Sequence, residues 1–192
     1  MSHDHKPLVL VPALCLLGWC LMWGQGSTLS SWATLTVAGL AMGMIIFVIA
    51  SGLTLVFGLM DILNFGHGVF ISLGAFVATS VLAGMTAWTD VPLLGPNLLA
   101  VLLAVAAAMV LASAVGWAFE RIIVRPVYGH HLKQILITMG GMIIAEELIK
   151  VIWGAQQVPL PLPAALRGAW LWGDAAVEKY RVLCVLTGAL MF

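Results

Sequence analysis

Charge is what this 192-residue sequence has least of: eight Lys and Arg and eight Asp and Glu, together 8% of the chain. A soluble domain carries about a quarter charged residues, so a water-exposed surface over most of the molecule is excluded. With 62% hydrophobic residues and a mean hydropathy of +1.11, the chain reads as an integral membrane protein. The few basic residues are scattered and the net charge is zero, which leaves no basic stripe for nucleic acid. Cysteine is scarce as well. Cys15, Cys20 and Cys184 form no CxxC pair, which excludes the usual zinc patterns, and they read as small apolar fillers. GxxxxGK[ST], HExxH and GxSxG are all missing, so the chain carries no phosphate-cradling loop, zinc-protease pair or serine elbow of its own.

What is there is apolar sequence in long runs. A transmembrane helix takes about 20 mostly apolar residues. Runs at 8–23, 35–59, 69–84, 98–118 and 134–153 read as five full spans, and a sixth begins near Arg181. The sixth stops at Phe192 after about a dozen residues, too few to cross the hydrocarbon core. The expectation is an all-α, polytopic transmembrane bundle, five full spans plus the start of a sixth, forming a single domain over 1–192 that is incomplete at its C-terminus. Lys6 before the first run and Gly24, Gly26 and Ser27 after it are compatible with a signal peptide. Trp19, Trp23 and the lack of an A-x-A site favour a retained helix.

Retention puts the N-terminus inside, the connector 119–133 inside and the loop 154–180 outside. The basic residues divide evenly: Lys6, Arg121, Arg125 and Lys133 inside, Lys150, Arg167, Lys179 and Arg181 outside. Only the density of the short inside loop favours this orientation. In the outer loop Pro159, Pro161 and Pro163 alternate; each lacks a donor and restricts its predecessor, so an extended segment is expected. Trp170 and Trp172 read as interfacial anchors, with a docking surface for a soluble partner as the sharper alternative. Gly39 with Gly43 and Ala112 with Gly116 stand at the spacing that lets membrane helices approach closely.

One stretch is out of keeping with its surroundings: "LNFGHG", residues 63–68, with Asp61 just upstream. Polar groups at membrane depth are costly unless they face protein or a wet cavity. Asp61, Asn64 and His67 are spaced by three and would form one polar stripe on a continuous helix. Gly66 and Gly68 flank His67, however, and Asn64 is a good N-cap. A break is therefore expected over 61–68, the second helix ending near Met60 and a new one starting at or just after Asn64. Such breaks line cavities in several transporters; an ordinary interfacial turn is the plainer alternative.

"GLTLVFGLMDILNFGHGVFISLGAFVA", residues 52–78, resembles the signature region of bacterial ABC-transporter permeases of the branched-chain amino acid type. "ERIIVRPVYGHHLKQILITMGGMIIAEELI", residues 120–149, is similar to the same family's Glu-Arg, Arg-Pro and Thr-x-Gly stretch. The resemblance implies a bacterial inner-membrane permease that pairs with a second homologous permease, two cytoplasmic ATPases and a periplasmic solute-binding protein. It implies import of branched-chain amino acids, with urea, short amides or aromatic acids as relatives' solutes, and no enzymatic role. ATP and Mg would be held by the partner ATPase, and this chain would need no cofactor of its own.

On that reading Asp61, Asn64, Gly66, His67 and Gly68 border the substrate path. Asn64 and free helix N-terminal amides would meet a solute carboxylate, while Gly66 and Gly68 would resist bulk. Two departures stand out: Val69 occupies a position where many members carry Glu, and the family's ATPase-contacting loop follows the helix that here stops at Phe192, so this length of chain is expected not to couple ATP hydrolysis. Glu120, Arg121 and Arg125 are the cytoplasmic-loop candidates, the arginines bracing an ATPase or pairing with Glu120, with setting topology as the plainer reading for them. His130 with His131, and His3 with His5, lack the further ligands a metal site needs. The rival readings are a proton- or ion-conducting subunit with Asp61 and His67 as relay groups, and a non-functional truncated permease.

Overall fold

The structure, a computed structural model, describes residues 12–14, 16–21, 29–60, 64–172 and 174–191. Helices dominate: α1 (Pro12–Leu21), then α2 (Leu29–Met60), α3 (His67–Gly84), the single turn α4 (Thr86–Thr89), α5 (Leu94–Phe119), α6 (His131–Trp153) and α7 (Lys179–Met191). Among the described residues three helical stretches are long and apolar enough to cross a membrane: Leu29–Leu59, His67–Gly84 and Leu94–Val127. The other apolar runs fall short for separate reasons. Every 18-residue window of α6 contains at least three of Lys133, Glu146, Glu147 and Lys150. α7 has 13 residues, and α1 is shorter still.

The all-helical expectation needs one amendment. Within the stretch read as an outer loop, β1 (Ala169–Trp172) and β2 (Ala175–Glu178) pair antiparallel, Trp170 opposite Val177 and Leu171 opposite Ala176. Trp, Leu and Val suit a pleated strand, and Gly168, at φ +84°, supplies the left-handed residue that leads into it. The proline-bearing segment before it is non-helical apart from a 3₁₀ turn at Ala164–Leu166, as the missing donors require.

The chain divides into two compact units: Met1–Phe47 with Arg167–Phe192, and Val48–Leu166. The boundary falls inside α2. In the first unit Trp19 meets Trp32 edge to face, ring centroids 5.0 Å apart. α7 approaches α2 closely at Gly188, where a Cβ would lie 2.5 Å from Met44 Cβ.

In the second unit α3 packs on α5 through Leu82, Ala100 and Ala104, flanked by Ala78, Val81, Met85 and Val101. Small residues let the two backbones come together where lipid supplies no hydrophobic drive. The buried carboxamide of Asn97 fixes the entry to α5: Nδ2 donates to the carbonyls of Trp88 at 3.0 Å and Val91 at 2.7 Å, and Oδ1 accepts the Ala165 N–H at 2.9 Å. α6 is tied to α3 by the Trp153 indole, whose Nε1 donates to Ser80 Oγ at 2.7 Å while its ring lies 5.4 Å from that of Phe76. Lys150 pairs with Glu147 at i,i+3, 2.7 Å apart, as their spacing predicts.

Between α5 and α6 the helix loosens into a π turn (Glu120–Val124) and then tightens into a 3₁₀ turn (Arg125–Val127). Pro126 cannot donate into the α ladder, and the Arg125 N–H reaches back five residues to Glu120 O.

Candidate functional site

α2 ends at Met60 and α3 begins at His67; the polar stretch does interrupt the helix. Asp61 lies outside the described residues. The N-cap of α3 is Gly66, at φ −73° and ψ −2°, and not Asn64 as the sequence suggests. Asn64 stands two residues earlier, and its Oδ1 accepts the Gly66 N–H at 3.0 Å. This is the local turn that a short carboxamide forms with the amide two residues on. The Asn64 carbonyl in turn accepts the His67 N–H at 3.3 Å, and the Val69 N–H donates to Gly66 O at 3.0 Å.

The Phe65 amide is met from α6. Phe65 N–H donates to Thr138 Oγ1 at 3.4 Å, while the Thr138 hydroxyl donates to Gln134 O at 2.7 Å. Thr138 is fully buried. Four amides at the start of α3, those of Phe65, Gly66, His67 and Val69, are thus engaged within the chain. The expectation that helix N-terminal amides stand free for a solute does not hold for them.

An aromatic wedge sits beside this turn. A Cβ at Gly141 of α6 would lie 2.5 Å from Phe119 Cε2, and one at Gly66 would lie 3.7 Å from Phe119 Cζ and 3.1 Å from Asn64 Oδ1. Phe119 therefore fills a notch that only glycine leaves open at 141, and it meets Phe70 edge to face at 5.4 Å. Gly66 is buried with an ordinary right-handed φ, so its need for glycine is one of space. Gly68 differs: a Cβ there meets nothing within 4 Å, and its expected intolerance of bulk finds no support inside this chain. Val69 is buried.

A groove of about 440 Å³ opens between α2 and the break, lined by Ile49, Leu53, Thr54, Phe57, Asn64, Phe65, His67 and Gly68. Among the described residues its walls are apolar apart from Asn64, His67 and Thr54, and none of the described lining residues is charged. The His67 ring rests against Gly52, with Nε2 3.2 Å from where a Cβ would be. Thr54 Oγ1 donates to Ala50 O at 2.8 Å. Asn64, Gly66, His67 and Gly68 are therefore brought together at one site.

The cytoplasmic-loop candidates form a separate group. Glu120 Oε1 accepts the Tyr128 hydroxyl at 2.6 Å; among the described residues it makes no ion pair with Arg121 or Arg125. The hydrogen bond to Glu120, then burial, then the Glu120 charge hold the Tyr128 pKa above its ordinary 10.0, with Arg125 acting in the opposite sense.

Sequence reasoning did not single out Phe119, Gly141, Gly52 or Asn97, and it named Thr138 only within the Thr-x-Gly stretch. A signal existed for one of them: Gly140 and Gly141 sit together inside a helix, where each costs up to about 1 kcal/mol relative to Ala, a cost that points to a packing reason.

The family described as "Branched-chain amino acid transport system / permease component" matches residues 35–161, a span that contains the break, the wedge and Thr138. The high-affinity branched-chain amino acid transport system permease protein LivH of Escherichia coli K12 is 30% identical over 144 residues, 71% of this chain and 43% of that protein. The same-named protein of Salmonella typhimurium is 29% identical over the same shares. BraD of Pseudomonas aeruginosa, of the same description, is 30% identical over 146 residues, 74% of this chain and 45% of that protein. The chain thus spans less than half the length of the curated relatives it matches. No solved structure matches it significantly.

Proposed function

Since the chain belongs to the family of permease components of branched-chain amino acid transport systems, we propose that it forms part of the membrane path of an ATP-binding-cassette importer. The solutes are branched-chain amino acids or related small polar molecules, and partner subunits hydrolyse ATP with Mg. The partners are a second homologous permease, two cytoplasmic ATPases and a periplasmic solute-binding protein, assembled in the bacterial inner membrane. The chain contributes a single multi-pass permease domain, its α6 run a full span in company with those partners and its α7 run the start of a further one, and the stretch 154–180 faces outward.

The observation that carries this reading is the matched span itself, which encloses a helix break whose polar side chains border an apolar groove. Apolar walls suit an aliphatic side chain, and a few polar groups at one end suit its polar head. Radiolabelled leucine uptake tests the reading, in cells lacking their own system and supplied with the gene product carrying this chain plus its partner subunits. ATP-dependent accumulation is expected. A well-assembled complex that moves neither leucine nor isoleucine and valine points instead to urea, amides or aromatic acids.

A further inference from the structure

We propose that the Asn64 carboxamide is divided between two tasks: its oxygen holds the turn that opens α3, and its Nδ2 is the donor that selects solutes ending in an oxygen acceptor, a carboxylate above all. This inference rests on the transport reading and specifies how the groove recognises its solute.

The orientation of the carboxamide is fixed by chemistry. Gly66 N–H is a donor, so the atom 3.0 Å away must be the oxygen. Nδ2 is then the free end of a side chain that lines the groove, and it has no partner among the described residues. Asn97 shows what a purely structural carboxamide looks like in the same unit: buried, with both ends saturated. Asn64 is only partly buried and half used.

Several other donors near the groove are spoken for; the Gly68 N–H is not among them. The amides of Phe65, Gly66, His67 and Val69 have partners inside the chain, and the Thr54 proton is given to Ala50 O. His67 turns its Nε2 edge toward the α2 backbone at Gly52. Among the described residues no lysine or arginine lines the groove, so an acceptor-bearing solute is met there by a neutral amide donor, with Ile49, Leu53 and Phe57 left for its aliphatic part.

The two tasks separate on mutation. Asn64→Asp keeps an oxygen for the Gly66 N–H and replaces the donor with a second oxygen; Asn64→Ala removes both. With partner subunits constant, leucine uptake, subunit assembly and thermal stability in detergent are compared for wild type, Asn64→Asp and Asn64→Ala. Asn64→Asp is expected to assemble and melt like wild type, yet to lose leucine uptake about ten- to a hundredfold at neutral pH, the range for a lost hydrogen bond to a charged group. Part of that uptake should return as the pH is lowered toward about 5, because a protonated Asp again offers a donor and burial raises a carboxylate's pKa. Asn64→Ala should lose stability as well as uptake, with no recovery in acid.

Undiminished leucine uptake by Asn64→Asp overturns the proposal, as does a loss in Asn64→Asp that acid leaves unchanged. Wild-type complex that assembles and moves neither carboxylate solutes nor urea or amides overturns the transport reading beneath it.

Discussion

The backbone N–H of Phe65 donates to the hydroxyl oxygen of Thr138, 3.4 Å away and 73 residues later in the chain. Through it the two sequence motifs, LNFGHG and the Thr-x-Gly of α6, become one piece of structure. Thr138→Val keeps the shape and removes the acceptor, leaving a backbone donor unmatched at a partly buried site. The expected cost is about 1 kcal/mol, with Thr138→Ser close to wild type. Thermal unfolding in detergent reads the difference, and faster hydrogen exchange confined to the Phe65 region in Thr138→Val locates it.

Gly141→Ala places a methyl group 2.5 Å from Phe119 Cε2. Overpacking of this kind costs about 1–3 kcal/mol. Because the clash has one named partner, Phe119→Leu in the same chain is expected to recover part of the loss, so the double-mutant cycle should show a favourable coupling between 119 and 141. Additive losses in the cycle would place the ring elsewhere.

Gly66 and Gly68 are expected to part company. A methyl at Gly66 comes within 3.1 Å of Asn64 Oδ1, whereas one at Gly68 meets nothing within 4 Å. Gly66→Ala should lower the unfolding temperature; Gly68→Ala should leave it unchanged or raise it slightly, since Ala is better than Gly in a helix by up to about 1 kcal/mol. Equal sensitivity of uptake at both positions would mean that Gly68 is needed by a partner or solute.

The Tyr128–Glu120 bond has a pH signature. The Tyr128 pKa is raised in the folded chain, so its stabilising contribution is fully present below its ordinary value of 10.0 and is lost as pH climbs through the raised folded value. The stability difference between wild type and Tyr128→Phe should be constant from neutral to mildly alkaline pH and shrink at higher pH. A difference that grows with alkalinity would contradict the assignment.

How much of this was legible beforehand depends on whether the determining contact was local. The break could be read from Asn64, Gly66 and Gly68, because turn chemistry acts within a few residues, and α3 begins within three residues of where it was expected. That Asn64 bonds an amide before the helix, and does not cap it, depends on the placement of Gly66 as N-cap, which spacing alone does not fix. The Phe119 wedge was hidden for another reason: Phe70, Phe119 and Gly141 lie far apart in sequence, and an aromatic ring in an apolar run looks like any other. The expectation of five full spans plus the start of a sixth rests on apolar runs, and among the described residues three of these qualify by length and composition, while α6 also carries Lys133, Glu146, Glu147 and Lys150. The hairpin at 169–178 escaped because its strands are four residues each, too short for alternation to stand out beside a proline-bearing stretch.

The glycine notch that receives Phe119 also limits how α6 can move past α5. Sliding by one helical turn, about 5.4 Å, would bring Ile137 or Ala145 to the place of Gly141, and either carries the Cβ that the ring forbids. Axial travel is thus blocked at this contact, so the notch acts as a latch that holds α6 in register against α5.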